Sequence, residues 1–395
     1  MTSRETQVIV VGAGPSGLIA ARETAQRGVS VTALEEHSEI GRPCHCAGLL
    51  SMDGMRRLKI PSDGFYVQNR VRGAVFFSPS GLSFRVERQK PVACIVDRVS
   101  LDKFLADRAV ESGVEIKLGC AACDVRLDLN EALIKSSDGR EFKADILIDA
   151  EGASSRILKS VGLKSLNSDR LISGLQLDLV GVDIDPDFVE IHVGRKIAPG
   201  FFAWVLPLGK DAARVGLGCR EANPKKLLNR FLERRFKEKS YEVLNVRSGA
   251  IVTSGPIKKT FGERMLVVGD AAGHVKPTTG GGVIFGGICA EIAGRVAAEA
   301  VSRGIFNEEF LSLYERLWRK DLDKEFRNML LARKILNRLP DKLIDRLFEV
   351  VIKEDLQQFL SREGSMDFQS GIISDLLRQK RIFRLLSPFL KLFHR

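Results

Sequence analysis

The feature that most constrains this chain is a glycine-rich turn between a short apolar strand and a helix near the N-terminus. Val8–Val11 is a continuous apolar run, which is typical of a strand buried on both faces of a sheet. Gly12, Gly14 and Gly17 follow it with the spacing G-x-G-x-x-G. The first glycine permits the turn, the second lets a pyrophosphate approach the backbone, and the third lets the helix pack closely on the strand. The free N–H groups of the helix then face the phosphates.

A second strand and an acidic residue follow in the order that a dinucleotide site requires. The strand Val29–Leu34 ends at Glu35, about 20 residues after the glycines, where a carboxylate can bond a ribose hydroxyl. The alternative is a glycine-rich turn without a ligand. Because strand, glycines, helix, second strand and acid all occur in order, the segment predicts a bound dinucleotide.

Length and composition indicate a globular protein of more than one domain. The chain has 395 residues, which allows two domains and a large core. Hydrophobic residues make up 44% and the mean hydropathy is -0.02. No apolar run approaches the roughly 20 residues that span a bilayer, and the N-terminus lacks a signal-peptide pattern. With seven cysteines, an odd number, we expect reduced thiols and a cytoplasmic protein.

The charge balance favours an anionic partner. The formal net charge is +11 and the sequence pI is about 9.4, which suits a phosphate-bearing substrate, an anionic membrane surface or an acidic electron carrier. Nucleic acid is disfavoured, because the sequence carries no zinc-finger, helix-turn-helix or aromatic RNA-binding signature.

A loop directly after the dinucleotide segment carries thiol and imidazole groups. Residues 37–50 contain Cys44, His45 and Cys46 among glycines and a proline, which favour a loop over a helix. We expect no metal, because the single C-x-x-C at 120–123 has no second pair to complete four ligands. Cys46 is interpreted as a functional residue, and the alternative is small apolar filler.

Strand-rich and helical stretches alternate along the rest of the chain. Residues 65–96 and 170–255 contain short apolar or alternating runs between glycine and proline turns, which predicts an antiparallel sheet. One basic helix is predicted at 223–240. A buried strand that ends at Asp270 is followed by a glycine-rich turn and a helix, and residues 307–395 are basic and helical in pattern.

Three motifs in chain order resemble the flavin-dependent group that includes aromatic hydroxylases and geranylgeranyl reductases. The first is the glycine turn. The second is Glu151-Gly152 in IDAEGASSR, where that group usually has Asp-Gly. The third is Gly269-Asp270 in VVGDAAG, whose aspartate bonds the ribityl chain of the flavin in that group. The resemblance implies an α/β fold with a Rossmann-type FAD-binding domain and parallel sheet, an interleaved antiparallel-sheet substrate domain and a C-terminal helical region.

The resemblance also implies where FAD is touched. For Ala122 the contact would run through its backbone to the adenine. The N–H groups of Gly280–Gly282, at the start of a helix, would hold the reduced flavin. The expected FAD contacts are Gly12, Gly14, Ser16, Gly17, Glu35, Cys46, Ala47, Arg98, Ala122, Gly152, Asp270, Gly282 and Val283.

Within that group the archaeal geranylgeranyl reductases are most similar. The loop GRPCHCAGLLS resembles their Gly-x-Pro-x-x-Cys-x-Gly segment, which places Cys46 at the family cysteine near the flavin. The stretch 199–208 resembles their substrate motif Tyr-x-Trp-x-Phe-Pro-Lys, of which Trp204 and Pro207 are kept and Phe202 replaces the tyrosine. These three residues are expected to line an apolar slot for a polyprenyl chain. The alternative is that they are plain core of the sheet.

The expected domain boundaries follow from combining the motifs with the strand pattern. The FAD-binding segments carry the three motifs, the substrate segments carry the antiparallel strands, and the remainder is helical. The expected FAD-binding domain comprises 1–64, 97–168 and 256–303. The expected substrate domain comprises 65–96 and 169–255, and the helical region is 304–395.

The activity implied by the resemblance is reduction of isolated C=C bonds in geranylgeranyl chains of archaeal-type lipid precursors. Reduced FAD would give hydride to one carbon, and Cys46, or a water held near it and His45, would give a proton to the other. Alternatively, Cys46 only packs against the flavin ring. The rival functions are an FAD-dependent monooxygenase that hydroxylates an aromatic ring and a non-catalytic flavin- or lipid-binding protein.

The implied partners are a polyprenyl glycerophospholipid substrate and an electron donor. An acidic ferredoxin suits the positive charge, and NAD(P)H or a deazaflavin is the alternative. Basic residues beside apolar ones at 378–386 predict peripheral contact with the anionic inner face of the cell membrane. The alternative is an amphipathic helix that packs on its own domain. We further expect the tail to break at Pro388, His192 to be a surface strand residue, and His274 to be a hydrogen-bonding spacer in the flavin loop.

Overall fold

The computed structural model of the protein describes residues 6–166, 171–237 and 240–390. Its strands in chain order are β1 (Val8–Val11), β2 (Val31–Leu34), β3 (Leu49–Ser51), β4 (Val67–Val71), β5 (Gly73–Phe77), β6 (Ser83–Glu87), β7 (Ala93–Val96), β8 (Glu115–Lys117), β9 (Ala122–Leu127), β10 (Ala132–Ser136), β11 (Glu141–Ala144), β12 (Ile146–Asp149), β13 (Ile172–Val180), β14 (Phe188–Val193), β15 (Phe202–Pro207), β16 (Ala212–Cys219), β17 (Glu242–Ile251), β18 (Phe261–Gly262) and β19 (Met265–Val267). Its helices are α1 (Pro15–Ala25), α2 (Met52–Arg57), α3 (Arg98–Glu111), α4 (Arg156–Ser160), α5 (Pro224–Phe236), α6 (Val283–Arg303), α7 (Glu308–Leu336), α8 (Asp341–Lys353), α9 (Leu356–Glu363), α10 (Ser370–Arg378) and α11 (Lys380–Leu390).

The chain divides into two compact units, each built from three separate segments. The first unit comprises Met1–Cys44, Arg98–Arg170 and Val252–Phe326, and the second comprises the three stretches between and after them. Residues 45–64, which we expected with the FAD-binding segments, fall in the second unit, and the helical tail is divided between the two. The roles assigned to the predicted domains stay predictions.

A six-stranded sheet forms the centre of the first unit. Its strand order is β18-β19-β12-β1-β2-β8, and all neighbours are parallel except β18 and β19. Every residue of β1, β2 and β12 is buried. This explains why those segments read as continuous apolar runs, since helices cover parallel sheets on both faces. The glycine turn follows β1, which lies between β12 and β2 in the middle of the sheet.

Two glycines in α6 let that helix approach α1 closely. A Cβ on Gly294 would lie 2.7 Å from the carbonyl oxygen of Ala20, and one on Gly286 would lie 2.5 Å from Oγ of Ser16. A larger residue at position 294 would force the two helices apart, because the clash there is with backbone. At position 286 it would displace the Ser16 hydroxyl. The contact at Gly286 therefore fixes the start of α6 beside the start of α1.

A seven-stranded sheet with the order β17-β13-β16-β15-β14-β5-β6 dominates the second unit. It is antiparallel, as predicted, except that β14 and β5 are parallel. One face is an apolar core against α5, where Val215 and Leu217 meet Phe231. Because side chains alternate along a strand, the other face carries Gln176, Gly216 and Trp204, which are paired across β13, β16 and β15.

The C-terminal helices pack into an apolar cluster of their own. Ile382 and Leu386 of α11 are buried together with Ile344 and Phe348 of α8. The expected break at Pro388 is wrong, because α11 continues to Leu390. Proline removes the N–H that would bond the carbonyl four residues earlier, and the Ser387 hydroxyl donates to that carbonyl, on Arg384, at 3.2 Å instead. Every helix in the described ranges is too short or too polar to cross a bilayer.

Candidate functional site

The glycine turn in the first unit leaves an open approach to the start of α1. Gly12 has φ +98°, and a Cβ there would lie 2.3 Å from the carbonyl oxygen of Ala150. A Cβ on Gly17 would lie 1.9 Å from the carbonyl oxygen of Gly12, whereas one on Gly14 would meet nothing within 4 Å. Gly12 and Gly17 thus allow close packing of the backbone, and Gly14 leaves open space beside the start of α1. No described side chain caps the start of α1, so its N–H groups are available to an anion.

Glu35 ties the strand β2 to this turn. Its Oε2 accepts a hydrogen bond from the N–H of Ala13 at 2.9 Å. Its Oε1 accepts from the backbone N–H of His37 at 3.0 Å and is bonded to Nδ1 of the same residue at 2.6 Å. The carboxylate therefore lies at the glycine turn, where a ribose hydroxyl is expected, and it also stabilises the turn itself.

Asp270 and the residues around it form a second group near the start of α6. A Cβ on Gly269 (φ +65°) would lie 2.7 Å from Oγ of Ser16, and one on Gly282 would lie 2.7 Å from Oδ1 of Asp270. Burial raises the pKa of Asp270, and the charge of Arg98 opposes that rise. In the described part of the chain, the carboxylate of Asp270 has no hydrogen-bond donor. The structure thus brings Ser16, Asp270 and Gly282 together.

Four other predicted FAD contacts occupy distinct positions in the first unit. Arg98 begins α3, and its Nη2 donates to both carboxylate oxygens of Asp102 at 3.0 and 3.1 Å. Ala122 begins β9 and packs at the edge of the apolar cluster under the sheet. Gly152 has φ +77° and open surroundings. Val283 is buried as the first residue of α6. Their contacts with a flavin stay predictions.

Glu151, which replaces the aspartate usual in this motif, caps a helix. Its Oε2 accepts from the N–H of Arg156 at 2.7 Å, and its Oε1 accepts from the N–H of Ile157 at 2.8 Å. An acid at a helix N-terminus satisfies free N–H groups and complements the helix dipole. Sequence reasoning missed this role, although the acid directly preceding a short helix was a usable signal.

The arrangement in the first unit fits FAD. Open space at Gly14 and the uncapped start of α1 suit the pyrophosphate. The Glu35 carboxylate can accept from ribose hydroxyls, and the Asp270 carboxylate, which lacks a described donor, can accept from the hydroxyls of a ribityl chain. These features come from two of the three chain segments that build the first unit.

In the second unit, two side chains of the seven-stranded sheet hold the cysteine loop, which we define as residues 45–48. Nε2 of Gln176 donates to the carbonyl oxygens of His45 at 3.2 Å and Cys46 at 3.1 Å. Nη1 of Arg214 donates to the carbonyl oxygen of Ala47 at 2.8 Å. The N–H of Gly48 donates to Sγ of Cys46 at 3.4 Å. The loop backbone is therefore bonded to β13 and β16.

Asp178 anchors the arginine of this network. Its carboxylate accepts from Nε of Arg214 at 2.7 Å and from Nη1 of Arg247 at 2.7 Å. Burial acts to raise the pKa of Asp178, but hydrogen bonds and charge from the two guanidinium groups outweigh it and lower the pKa. Sequence reasoning missed Gln176, Asp178 and Arg214. The usable signal was polar residues inside runs that otherwise read as buried strands.

Phe202 and Trp204 lie on the same face of this sheet as Gln176, whereas Pro207 falls on the opposite face, because side chains alternate along a strand. Trp204 and Pro207 are buried and Phe202 is half-buried. The Phe202 ring stacks on Phe201 with centroids 4.2 Å apart. A Cβ on Gly216 would lie 2.6 Å from Cζ2 of Trp204, so glycine is needed for the indole to lie on the strand. Their role as a lining for substrate stays a prediction.

The cysteine loop packs directly against this aromatic region. Ala47 of the loop and Leu49, which follows it, contact the apolar cluster that contains Phe201, Trp204 and Leu206. His45 is exposed, and a Cβ on Gly249 would lie 2.8 Å from its Cβ. The predicted catalytic residues and the predicted substrate wall thus adjoin each other within one unit.

The expectations for two histidines are wrong. His192 is buried rather than on the surface, because its ring stacks on Phe77 at 4.3 Å and is bonded to Glu190 at 2.9 Å. His274 is not a hydrogen-bonding spacer, since neither ring nitrogen has a partner among the described residues. Its ring is buried against Trp318, with centroids 4.8 Å apart, and burial lowers the pKa of His274 to about 3.

Comparison with known proteins first defines the class. Residues 7–160 match the family "FAD dependent oxidoreductase", and residues 171–251 match "Geranylgeranyl reductase catalytic domain". The fold is shared with the halogenase PltM in complex with FAD, at a TM-score of 0.69 and 14% identity. The chain is an FAD-dependent oxidoreductase, as predicted.

Its relatives then define the family. The chain is 37% identical to digeranylgeranylglycerophospholipid reductase 2 of Methanothermobacter thermautotrophicus, over 88% of this chain and 92% of that protein. It is 32% identical to digeranylgeranylglycerophospholipid reductase of Methanocaldococcus jannaschii, over 90% and 94%. A geranylgeranyl bacteriochlorophyll reductase-like crystal structure from Thermoplasma acidophilum has a TM-score of 0.87 and 27% identity, over 97% and 98%. The chain belongs to the geranylgeranyl reductase family, and the predicted fold class, cofactor and family are confirmed.

Replacing Glu35 tests the FAD assignment of the first unit. Glu35→Ala removes both the proposed ribose acceptor and the acceptor of the Ala13 N–H, so we expect weaker retention of FAD. The measurement is the ratio of flavin absorbance to protein after dilution and gel filtration. Glu36→Ala, at the adjacent and more exposed acid, is the matched control and should retain flavin as the parent does. Equal retention in both variants would contradict the ribose assignment.

The buried imidazole of His274 gives a pH-dependent prediction for stability. The folded-state pKa of His274, about 3, lies below the ordinary histidine value of 6.5, so between these values the unfolded chain binds a proton that the folded chain does not. This contribution to stability is complete above about pH 6.5 and is lost progressively as the pH falls toward 3. In His274→Phe that loss is absent. When the pH is lowered from 7 to 5, the unfolding free energy of the parent should therefore fall by about 2 kcal/mol more than that of the variant.

Urea unfolding of both proteins at several pH values, with equal excess FAD, measures this difference. A difference between the two proteins that stays constant over that range would show that His274 is not held neutral in the folded state.

Proposed function

We propose that this chain hydrogenates isolated carbon–carbon double bonds of geranylgeranyl chains in archaeal-type membrane lipid precursors. The family supports this activity and substrate class. The structural observation that carries the proposal is the packing of the cysteine loop on the apolar cluster that contains Trp204. That contact joins a proton-bearing side chain to a surface suited to a prenyl chain. The monooxygenase and the non-catalytic carrier are not favoured by the relatives.

An isolated double bond has no carbonyl group to activate it. Hydride must therefore reach one carbon while a proton reaches the other. Bound FAD, when reduced, supplies the hydride and with it both electrons. The Cys46 thiol gives its proton to the second carbon and is left as a thiolate, which regains a proton from water.

The loop geometry supports this role of Cys46. The N–H of Gly48 donates to its Sγ at 3.4 Å, which fixes the position of the sulfur within the loop. His45 is exposed, which makes it our proposed route for the replacement proton from solvent. The proposal thus assigns Cys46 as proton donor and His45 as its relay.

Phe202 and Trp204 are proposed to line the path of the prenyl chain, and Pro207 ends the strand that carries them. The aromatic rings adjoin the cysteine loop, and the neighbouring positions Leu206 and Leu208 belong to or pack on the same apolar cluster. A wall of this kind attracts hydrocarbon by burial of apolar surface, at about 25 cal/mol per Å². It carries little polar specificity, so it suits a chain of repeated isoprene units.

In the first unit, we propose that the residues grouped at the two helix starts bind FAD. Gly12, Gly14, Gly17 and Glu35 would hold the pyrophosphate and ribose. Ser16, Asp270, Gly282 and Val283 would hold the ribityl chain and the flavin end. Arg98, Ala122 and Gly152 complete the proposed set.

We also propose an electron donor, from the charge of the protein, and a cellular location, from its proposed substrate. The net charge of +11 suits an acidic ferredoxin, which oppositely charged surfaces would steer to the protein. NAD(P)H or a deazaflavin is the alternative donor. We place the protein in the cytoplasm, in peripheral contact with the inner face of the membrane, since its proposed substrate is a membrane lipid.

Helix α11 is the proposed membrane-facing element. Ile382 and Leu386 are buried in the helical cluster, so most of its apolar stripe packs on the protein. Phe383 remains 51% exposed beside the exposed basic residues Lys380 and Arg384. An exposed aromatic ring among cations suits an anionic lipid surface.

The role of Cys46 is tested by Cys46→Ala. FAD should stay bound, because the proposed binding groups of the first unit are intact. Alkene reduction should fall tenfold or more, which corresponds to about 1.4 kcal/mol. The measurement is single-turnover oxidation of the reduced flavin by an unsaturated prenyl glycerophospholipid under anaerobic conditions. Cys44→Ala is the matched control and should react at the parent rate.

The same assay separates the rival functions. Flavin reoxidation by the lipid without oxygen supports the reductase. Reoxidation only when oxygen is admitted supports a monooxygenase, and no response under either condition supports a carrier. Full activity of Cys46→Ala would remove that thiol from the reaction.

Membrane contact is tested by removing three charges from the tail. The triple variant Arg378→Gln, Lys380→Gln, Arg384→Gln should bind vesicles rich in phosphatidylglycerol at least about tenfold more weakly, since each basic group near such a surface contributes about 1 kcal/mol. Co-sedimentation with vesicles measures the affinity. The control removes three exposed charges from α5, namely Lys225, Lys226 and Arg230. Equal losses in the two triple variants would indicate a general charge effect and contradict a specific face.

A further inference from the structure

Two buried polar side chains hold three consecutive carbonyl groups of the cysteine loop. Gln176 is 2% exposed and bonds the carbonyl oxygens of His45 and Cys46. Arg214 is also 2% exposed and bonds that of Ala47. The two side chains come from neighbouring strands, β13 and β16, whose residues pair across the sheet. Hydrogen bonds from the sheet therefore hold the backbone before and after Cys46.

These contacts are not required by the sheet itself. The opposite face of β13 and β16 is an apolar core, which stabilises strands without polar groups. Burying an amide and a guanidinium is costly unless both are hydrogen-bonded. Here Asp178 balances the charge of Arg214. Of the remaining donors of Arg214, Nη1 bonds Ala47 of the loop and Nη2 bonds Oε1 of Gln68 at 3.5 Å. Both buried side chains thus direct a donor to the loop.

Gln176 also adjoins the proposed substrate wall. A Cβ on Gly216 would lie 2.6 Å from both Cβ of Gln176 and Cζ2 of Trp204, so these two side chains meet above that glycine. Oε1 of Gln176 and Nε1 of Trp204 are buried without a hydrogen-bond partner in the described residues. The carboxamide therefore lies between the loop that carries the thiol and the indole expected to face the prenyl chain.

We propose that Gln176 and Arg214 are positioning residues for Cys46, which hold the loop backbone so that the thiol faces the alkene carbon that takes up the proton. This inference rests on the proposed function of Cys46. The proton transferred is still that of the thiol, and neither positioning residue exchanges one. Loss of their hydrogen bonds should loosen the loop and slow the chemical step, with little effect on lipid binding.

The first test measures the accessibility of Cys46 in the loop and does not depend on enzyme activity. In the FAD-loaded protein, Gln176→Met keeps the side-chain length and removes the two donated hydrogen bonds. Alkylation of Cys46 by iodoacetamide, located by peptide mass spectrometry, should become at least about threefold faster, which is the scale of losing one hydrogen bond. Arg214→Lys, which keeps the charge but not the fork of donors, should also accelerate it.

Asn69→Leu is the matched control for alkylation. Nδ2 of Asn69 also donates to two carbonyl groups, those of Pro186 at 2.8 Å and Pro207 at 3.0 Å, but not to the cysteine loop. The Cys46 alkylation rate of this variant should match that of the parent. Unchanged alkylation in both Gln176→Met and Arg214→Lys would overturn the proposal, as would an equal acceleration in Asn69→Leu.

The second test is a double-mutant cycle on lipid reduction. Gln176→Met alone should lower kcat at an unchanged KM, and it should cause no further loss in the Cys46→Ala background, because the group it positions is absent. An equal loss in both backgrounds would assign Gln176 a general structural role and overturn this inference while leaving the role of Cys46 intact. Full activity of Cys46→Ala alone would instead refute the proposed function of the thiol.

Discussion

Close approach at glycines, where an added side chain would collide with a neighbouring backbone or with Ser16, is the constraint on which the first unit depends. Gly17 lies against the carbonyl of Gly12, and Gly286 and Gly269 both lie against Ser16. Through these contacts β1, α1 and α6 converge, so that two helix starts lie near each other. Each helix start carries free N–H groups and a partial positive charge. A long anionic cofactor is the kind of ligand that such a convergence suits.

The antiparallel half uses a different device. One face of its sheet is ordinary apolar core, and the other carries a buried glutamine and a buried ion pair. Gly216 leaves room for the side chains of both Gln176 and Trp204. As a result, Gln176 bonds the loop that carries the thiol and also meets Trp204 in the aromatic wall. The charge of Arg214 is tolerated in that place because Asp178 is shared between it and Arg247.

What the sequence predicted well was local. The glycine turn, the continuous runs of the parallel strands and the acid after β2 are read from adjacent residues, and the structure contains each. What it missed depends on distant parts of the chain. His192 is buried because Phe77 covers it, and the polar set around Arg214 is recognisable only once β13 and β16 are paired. One miss is local instead: α11 continues through Pro388, and the neighbouring Ser387 hydroxyl bonds the carbonyl oxygen of Arg384.

We propose that electrons from the flavin and a proton from the chain reach the two carbons of an unactivated double bond. Mass spectrometry of a geranylgeranyl glycerophospholipid, incubated without oxygen with the FAD-loaded and dithionite-reduced protein, tests this proposal most directly. We expect the lipid to gain the mass of two hydrogens for each double bond reduced. A lipid of unchanged mass, or one that gains oxygen when air is admitted, would contradict it.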